Sequence, residues 1–238
     1  MKAYNPENPL FSLHVPKCAG QSFRNLLQHW FGDRFFIHYF QQNGSLPPRH
    51  SLPGGACVHG HFNRAKGMGV EAYYPGAEQF ITILRDPLEI ATSNYFFWKR
   101  KGRQRQIERG VIRAGDEDDY RGIDDFFRKR SRSHIFNFLP SSMTKDNFRE
   151  VLEQRFVWVG LAENLEAAVP VLAGRLGFAP AAIEHINVSS RDEELSPALR
   201  KDFIRDNHRE FELVDCVRKM WRAAGIGLEY PGREENRG

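Results

Sequence analysis

The feature that most constrains the fold of this 238-residue chain is a series of short, almost continuous apolar runs, each leading through a turn into a helical pattern. Pro9 to Val15 (PLFSLHV), Phe80 to Leu84 (FITIL) and Phe156 to Gly160 (FVWVG) show no polar alternation, so neither face of such a strand is built to meet water. Ser22 to Phe31 repeats apolar side chains at spacings of three and four (Phe23, Leu26, Leu27, Trp30) and reads as a helix with one buried face. Strands and helices alternating in this way predict an α/β fold with a parallel sheet covered on both faces. Folds of that kind bind ligands at the carboxyl ends of their strands.

The remaining elements follow the same logic. Ala56 to Val58 reads as a short strand ending in a turn at His59-Gly60-His61. Asp86 and Pro87 suit the cap and first position of a helix running to about Arg100. Asp146 to Gln154 and Glu163 to Leu176 read as helices, and Ser196-Pro197 opens one long C-terminal helix to Ala224, stopped by Gly225. No internal repeat divides the chain, which reads as a single domain over 1–238 with a polar tail after about 232.

A chain of this length with 41% apolar residues buries a core large enough to need no disulfide or metal. Cys18, Cys57 and Cys216 are odd in number, widely spaced and form no CxxC pair, so reduced thiols are expected. No run approaches the roughly 20 apolar residues of a membrane span, and the N-terminus lacks the pattern of a signal peptide, so the expectation is a soluble cytoplasmic protein. A net charge of +4 and a pI near 9.0 favour anions mildly, without separating nucleic acid from nucleotide or acidic glycan. Lys99 to Arg132 carries twelve Lys/Arg and seven Asp/Glu. Its plainest reading is a solvated helical hairpin, and the functional alternative is a rim that steers an anionic acceptor.

Two segments carry chemistry suited to phosphate. His14-Val15-Pro16-Lys17-Cys18-Ala19-Gly20-Gln21-Ser22 lies between a strand and a helix, where backbone N–H groups and the helix dipole favour an anion. Gly20 lets the chain bend close to a ligand, Lys17 adds a full charge and Ser22 a hydroxyl. The GxxxxGK[ST] pattern is absent, so the loop is no Walker A. Arg85 ends the Phe80–Leu84 run, and Ser93 follows eight residues later, about two helical turns on. A guanidinium fork with a hydroxyl suits a phosphate. Taken alone, the same residues also read as a Pro-Gly turn with an exposed lysine and as an Arg85–Asp86 ion pair at a helix start. His59-Gly60-His61 offers imidazoles, whose ordinary pKa suits a general base near pH 7. His14 reads as a satisfied residue at a strand end.

The first segment resembles the 5'-phosphosulfate loop of the glycan sulfotransferases related to heparan sulfate 2-O-sulfotransferase, roughly H-[IV]-P-K-[TC]-[AG]-G-[TQ]-S. The second resembles that family's R-D-P-x-x-R-x-x-S-x-Y at Arg85, Asp86, Pro87, Ser93 and Tyr95, with Ile90 where the family has its second Arg. Phe156 to Asn164 and His185 to Ser190 agree further, so the resemblance spans about Leu10 to Gly225. It implies a P-loop-NTPase-like three-layer sandwich with a central parallel sheet flanked by helices. It also implies transfer of the sulfuryl group of 3'-phosphoadenosine 5'-phosphosulfate (PAPS) to a hydroxyl, in a carbohydrate acceptor, without a metal and with 3',5'-ADP as product. Lys17 and the amides of Cys18, Ala19, Gly20, Gln21 and Ser22 would hold the 5' end, with Lys17 also stabilising charge on the bridging oxygen. Arg85 and Ser93 would hold the 3'-phosphate, with Ser189, Ser190 or Arg191 as further contacts. His61 would be the base and His59 would position the acceptor.

Two other classes compete. A nucleotide-dependent kinase or phosphotransferase would need Mg²⁺ and a Walker-type loop. A non-catalytic polyanion-binding module would need a clustered basic face with interleaved aromatics, and the charge here is too evenly mixed to favour it; no nucleic-acid partner is expected.

Overall fold

The structure, a computed structural model, describes residues 1–41, 43–102, 120–130, 132–183 and 191–226. Its centre is a five-stranded, wholly parallel sheet: β1 (Leu10–His14), β2 (Phe35–His38), β3 (Cys57–Gly60), β4 (Phe80–Leu84) and β5 (Phe156–Leu161), in the order β2-β3-β1-β4-β5. Helices flank it, as an α/β sandwich requires. The three long apolar runs form β1, β4 and β5, and every residue of β4 and β5 is buried.

Helix α1 (Gly20–Phe31) lays Phe23, Leu26, Leu27 and Phe31 on the sheet. Phe23 stacks on Trp158 of β5 at 5.8 Å between ring centroids. Burying side chains of this size stabilises the fold by roughly 2–3 kcal/mol each. After the short α2 (Val70–Tyr73) comes α3 (Pro87–Phe97), whose cap is the expected one: Asp86 accepts from the amides of Leu88 (2.9 Å) and Glu89 (3.4 Å). A π-helical turn continues α3 through 98–102. Then follow α4 (Ile123–Lys129), α5 (Phe148–Arg155), α6 (Leu165–Leu176), α7 (Pro197–Asp206) and α8 (His208–Ala223).

Three sequence expectations are corrected. Strand β2 is missing from the apolar-run reading because it is a four-residue edge strand with three partly or fully exposed side chains. The single C-terminal helix is two helices: Asn207 leaves helical geometry, accepts from the Ser133 amide at 2.7 Å and donates to the Phe203 carbonyl at 2.8 Å. The solvated-hairpin reading of Lys99 to Arg132 fails for its described end. There α4 buries Ile123, Phe126 and Phe127 in a second apolar cluster with Leu88, Tyr95, Phe96, Phe203 and Phe211; residues 103–119 lie outside the described part. No described helix is long and apolar enough to cross a membrane.

Candidate active site

The topology marks the place. From β1 the chain moves toward β2 and β3 on one side, whereas from β4 it moves toward β5 on the other, so the carboxyl ends of these adjacent strands straddle a switch point. In open parallel sheets that is where the ligand crevice opens. The loop containing Lys17 leaves β1 there and Arg85 leaves β4 there. Arg85 Nη1 donates to the Lys17 carbonyl at 3.3 Å, so segments 68 residues apart form one surface.

The first loop is strained. Lys17 (φ 69°) and Ala19 (φ 52°) both lie in the left-handed region although neither is glycine, at a cost of roughly 1–2 kcal/mol each. Left-handed turns of this kind gather successive N–H groups into an anion-binding concavity. Ala19 is the N-cap of α1 and makes no side-chain capping bond, and the first turn carries no carboxylate, so the positive end of the dipole is not neutralised locally. At Gly20 a Cβ would fall 1.8 Å from His14 Nε2, so the glycine makes room for an imidazole. Cys18 and Ser22 are buried and Gln21 is exposed. Burial pushes the Cys18 thiol well up, keeping it protonated.

The Lys17 ammonium lies 3.8 Å from the centroid of Phe97, a cation–π contact. Burial, then the charges of Arg100 and Arg85, lower its pKa to about 8, which leaves it mostly charged at neutral pH. Neither Arg100 nor Phe97 carries a motif that sequence reading could have used.

Helix α3 has two working faces. Pro87, Ile90, Ala91, Asn94 and Trp98, at spacings of three and four, line a cavity of about 740 Å³ that also meets Val15, Pro16, Phe97, Phe126, Ile135 and Phe138. Lys66, Lys129, Arg130 and Arg132 line it as well, and no Asp or Glu does so among the described residues. Arg85, Glu89 and Ser93 mark the other face. Arg85 Nη2 meets Glu89 Oε2 at 3.4 Å, while Arg191 grips the same carboxylate through Nη2 (2.6 Å) and Nη1 (3.2 Å). Asp86 turns instead to Arg218 of α8, at 3.6 Å. Tyr95 donates to Glu193 at 2.7 Å, and Lys99 holds Asp192 (2.8 Å) and Glu193 (2.7 Å). Ser189 and Ser190 lie outside the described residues.

The histidines gather at the carboxyl ends of β1, β2 and β3. Strand β3 runs two residues past the expected end, through Gly60, so His59 stands in the sheet and not in a turn. His59 is 0% exposed and its Nδ1 shares a 2.8 Å hydrogen bond with Ser12 Oγ; it presents no surface to an acceptor and instead stacks on His14 at 5.3 Å. His14 shares a 2.8 Å bond with Tyr39 Oη and lies 4.4 Å from the His61 ring. It is satisfied, as expected, but central to the cluster. His61 is partly exposed as a residue, beside Phe138 of the cavity wall (5.8 Å), but its Nε2 is itself buried and lacks a hydrogen-bond partner among the described residues. Burial, with His61 and Arg24, drives His59 to about 3; burial, with Lys66, drives His61 to about 4.

The structure is thus a parallel α/β sandwich with paired cationic loops at its switch point. No family model and no curated protein matches the chain. Among solved structures it is similar to mouse sulfotransferase SULT7A1 complexed with PAP, with a TM-score of 0.56 and 12% identity, over 93% of this chain and 90% of that one. At that identity the likeness is one of fold.

Proposed function

We propose that this chain transfers the sulfuryl group of PAPS to a hydroxyl of a carbohydrate acceptor. One observation carries the reading: Arg85 and Lys17, each from a segment that reads as half of a nucleotide-binding pair, meet at the switch point between β1 and β4. The fold it shares with a sulfotransferase complexed with PAP supports the same conclusion.

In this reading the strained loop and Lys17 take the 5'-phosphosulfate, and Arg85 and Ser93 the 3'-phosphate. The acceptor enters the cavity on the opposite face of α3, whose four cations suit an anionic glycan. The acceptor oxygen attacks sulfur in line, the bond from sulfur to the bridging oxygen breaks, and 3',5'-ADP leaves. Lys17 meets the charge that develops on that bridging oxygen. His61, neutral at pH 7, accepts the hydroxyl proton as the acceptor reaches its ring; the negative charge of bound nucleotide raises its basicity toward the working range. His59 acts at second hand, with Ser12 and His14, by fixing the imidazole cluster.

Thermal unfolding with 3',5'-ADP, compared with ATP–Mg²⁺, tests the cofactor: strong stabilisation by the first alone is expected. Equal or reversed shifts would point to a phosphotransferase. Label transfer from sulfur-labelled PAPS to a panel of oligosaccharides then tests the acceptor.

A further inference from the structure

Glu89 has no role in the chemistry so far, yet it sits at the centre of the second anion site. It lies one turn after Arg85 and one turn before Ser93, on the same face of α3. Its carboxylate bridges two guanidiniums, loosely toward Arg85 (3.4 Å) and as a two-pronged pair toward Arg191 (2.6 and 3.2 Å). Arg200 adds a third positive charge nearby, and although burial alone would raise Glu89, these arginines hold it below the ordinary carboxylate range. Each guanidinium has five N–H donors. Arg85 gives one to the Lys17 carbonyl and one to Glu89, and Arg191 gives two to Glu89, which leaves donors over on both.

Resting on the function proposed above, we infer that Glu89 is the positioning residue of the 3'-phosphate site: it sets Arg85 and Arg191 side by side so that both address one phosphate. Arg191 is otherwise distant in sequence by 102 residues, and the guanidinium is brought to α3 through this carboxylate. The neighbouring contacts of Tyr95 and Lys99 with residues 192 and 193 hold the main chain independently. Removing Glu89 therefore frees a side chain without freeing the segment.

A simple charge argument predicts the reverse. Two arginines and one carboxylate sum to +1, and deleting the carboxylate leaves +2, which should tighten any anion. The sign of the effect thus separates positioning from competition. Calorimetric titration of the wild type, Glu89→Ala and Glu89→Gln with 3',5'-ADP and with 5'-AMP, which lacks the 3'-phosphate, reads it directly. The wild type should prefer 3',5'-ADP. Glu89→Ala should lose about tenfold or more of that preference, a loss of the order of one charged hydrogen bond, with 5'-AMP affinity unchanged. Glu89→Gln, which keeps one acceptor oxygen and the side-chain volume, should recover part of it. Tighter 3',5'-ADP binding in Glu89→Ala, an unchanged preference, or equal weakening of both nucleotides would each overturn the inference. A wild type without preference for 3',5'-ADP would instead overturn the reading of the cofactor, and this inference with it.

Discussion

The loops after β1 and β4 and the histidine cluster at the ends of β1, β2 and β3 share one edge of the sheet, yet they treat charge in opposite ways. At the loops Lys17 rests on an aromatic face, half-buried, and Arg85 shares the Glu89 carboxylate with Arg191, which reaches in from far along the chain. In the cluster His14, His38, His59 and His61 all titrate below the ordinary histidine value, burial being the largest cause for each. Rings surround them: His38 stacks on Phe62 at 4.2 Å, and His61 packs on Tyr39 at 4.8 Å. An edge that fixes positive charge beside neutral nitrogens is equipped to hold an anion and to accept a proton a short way off. Burial lowers both kinds of group, and because the ordinary lysine value lies about four units above that of histidine, Lys17 stays mostly charged at neutral pH while the histidines lose what charge they would carry.

The largest test of that contrast is on the neutral side. His61→Ala should lower transfer about 10²- to 10⁴-fold, the range for a general base, with 3',5'-ADP affinity retained in a titration; lost affinity would make His61 a nucleotide ligand. On the charged side, Lys17→Ala should cut turnover about a hundredfold, as for one preorganised contact. Because Lys17 titrates at about 8, wild-type turnover should fall as pH rises through 8. Lys17→Arg should hold its rate to higher pH, and a profile that it leaves unmoved would detach the alkaline limb from this residue.

Smaller effects belong to stability. His59 has a folded-state pKa of about 3, below its unfolded value near 6.5. The unfolded chain therefore binds more protons in that window. Stability is complete above about pH 6.5 and falls as pH drops toward 3, by up to about 1.4 kcal/mol per unit for this imidazole. His38 and His61 add in the same direction. Urea midpoints at pH 7 and pH 5 measure it, and equal midpoints would mean that the cluster takes up protons while folded. Least of all, Ala19→Gly should stabilise the fold by about 1 kcal/mol by relieving left-handed strain; a loss in the same melt would show that the strain is not held there.

Much of the frame was legible in the chain. The apolar runs at β1, β4 and β5 and the Asp86-Pro87 cap declare themselves through local preferences, because a strand buried on both faces has no polar alternation to confuse it. Strand β2 was not legible, since an edge strand keeps exposed side chains and its pairing with β3 is a long-range choice. Asn207 breaks a continuous helical pattern where its side chain meets the Ser133 amide, a partner 74 residues away. At the site, Lys17 and Arg85 stood out by motif, whereas Glu89, Phe97 and Arg100 did not, for each acts through a neighbour far along the chain or on another turn.

By itself, then, the sequence determined the buried strands β1, β4 and β5 and the helix capped by Asp86, and it marked residues whose chemistry suits phosphate, because those depend on periodicity and residue type within a few turns. Tertiary structure alone decided that His59 is sealed into the sheet, that Glu89 joins Arg85 to Arg191, and that α3 carries this charged cluster on one side and a cavity on the other. Burial and charge pairing are properties of the assembled neighbours, and no local stretch of the chain contains them.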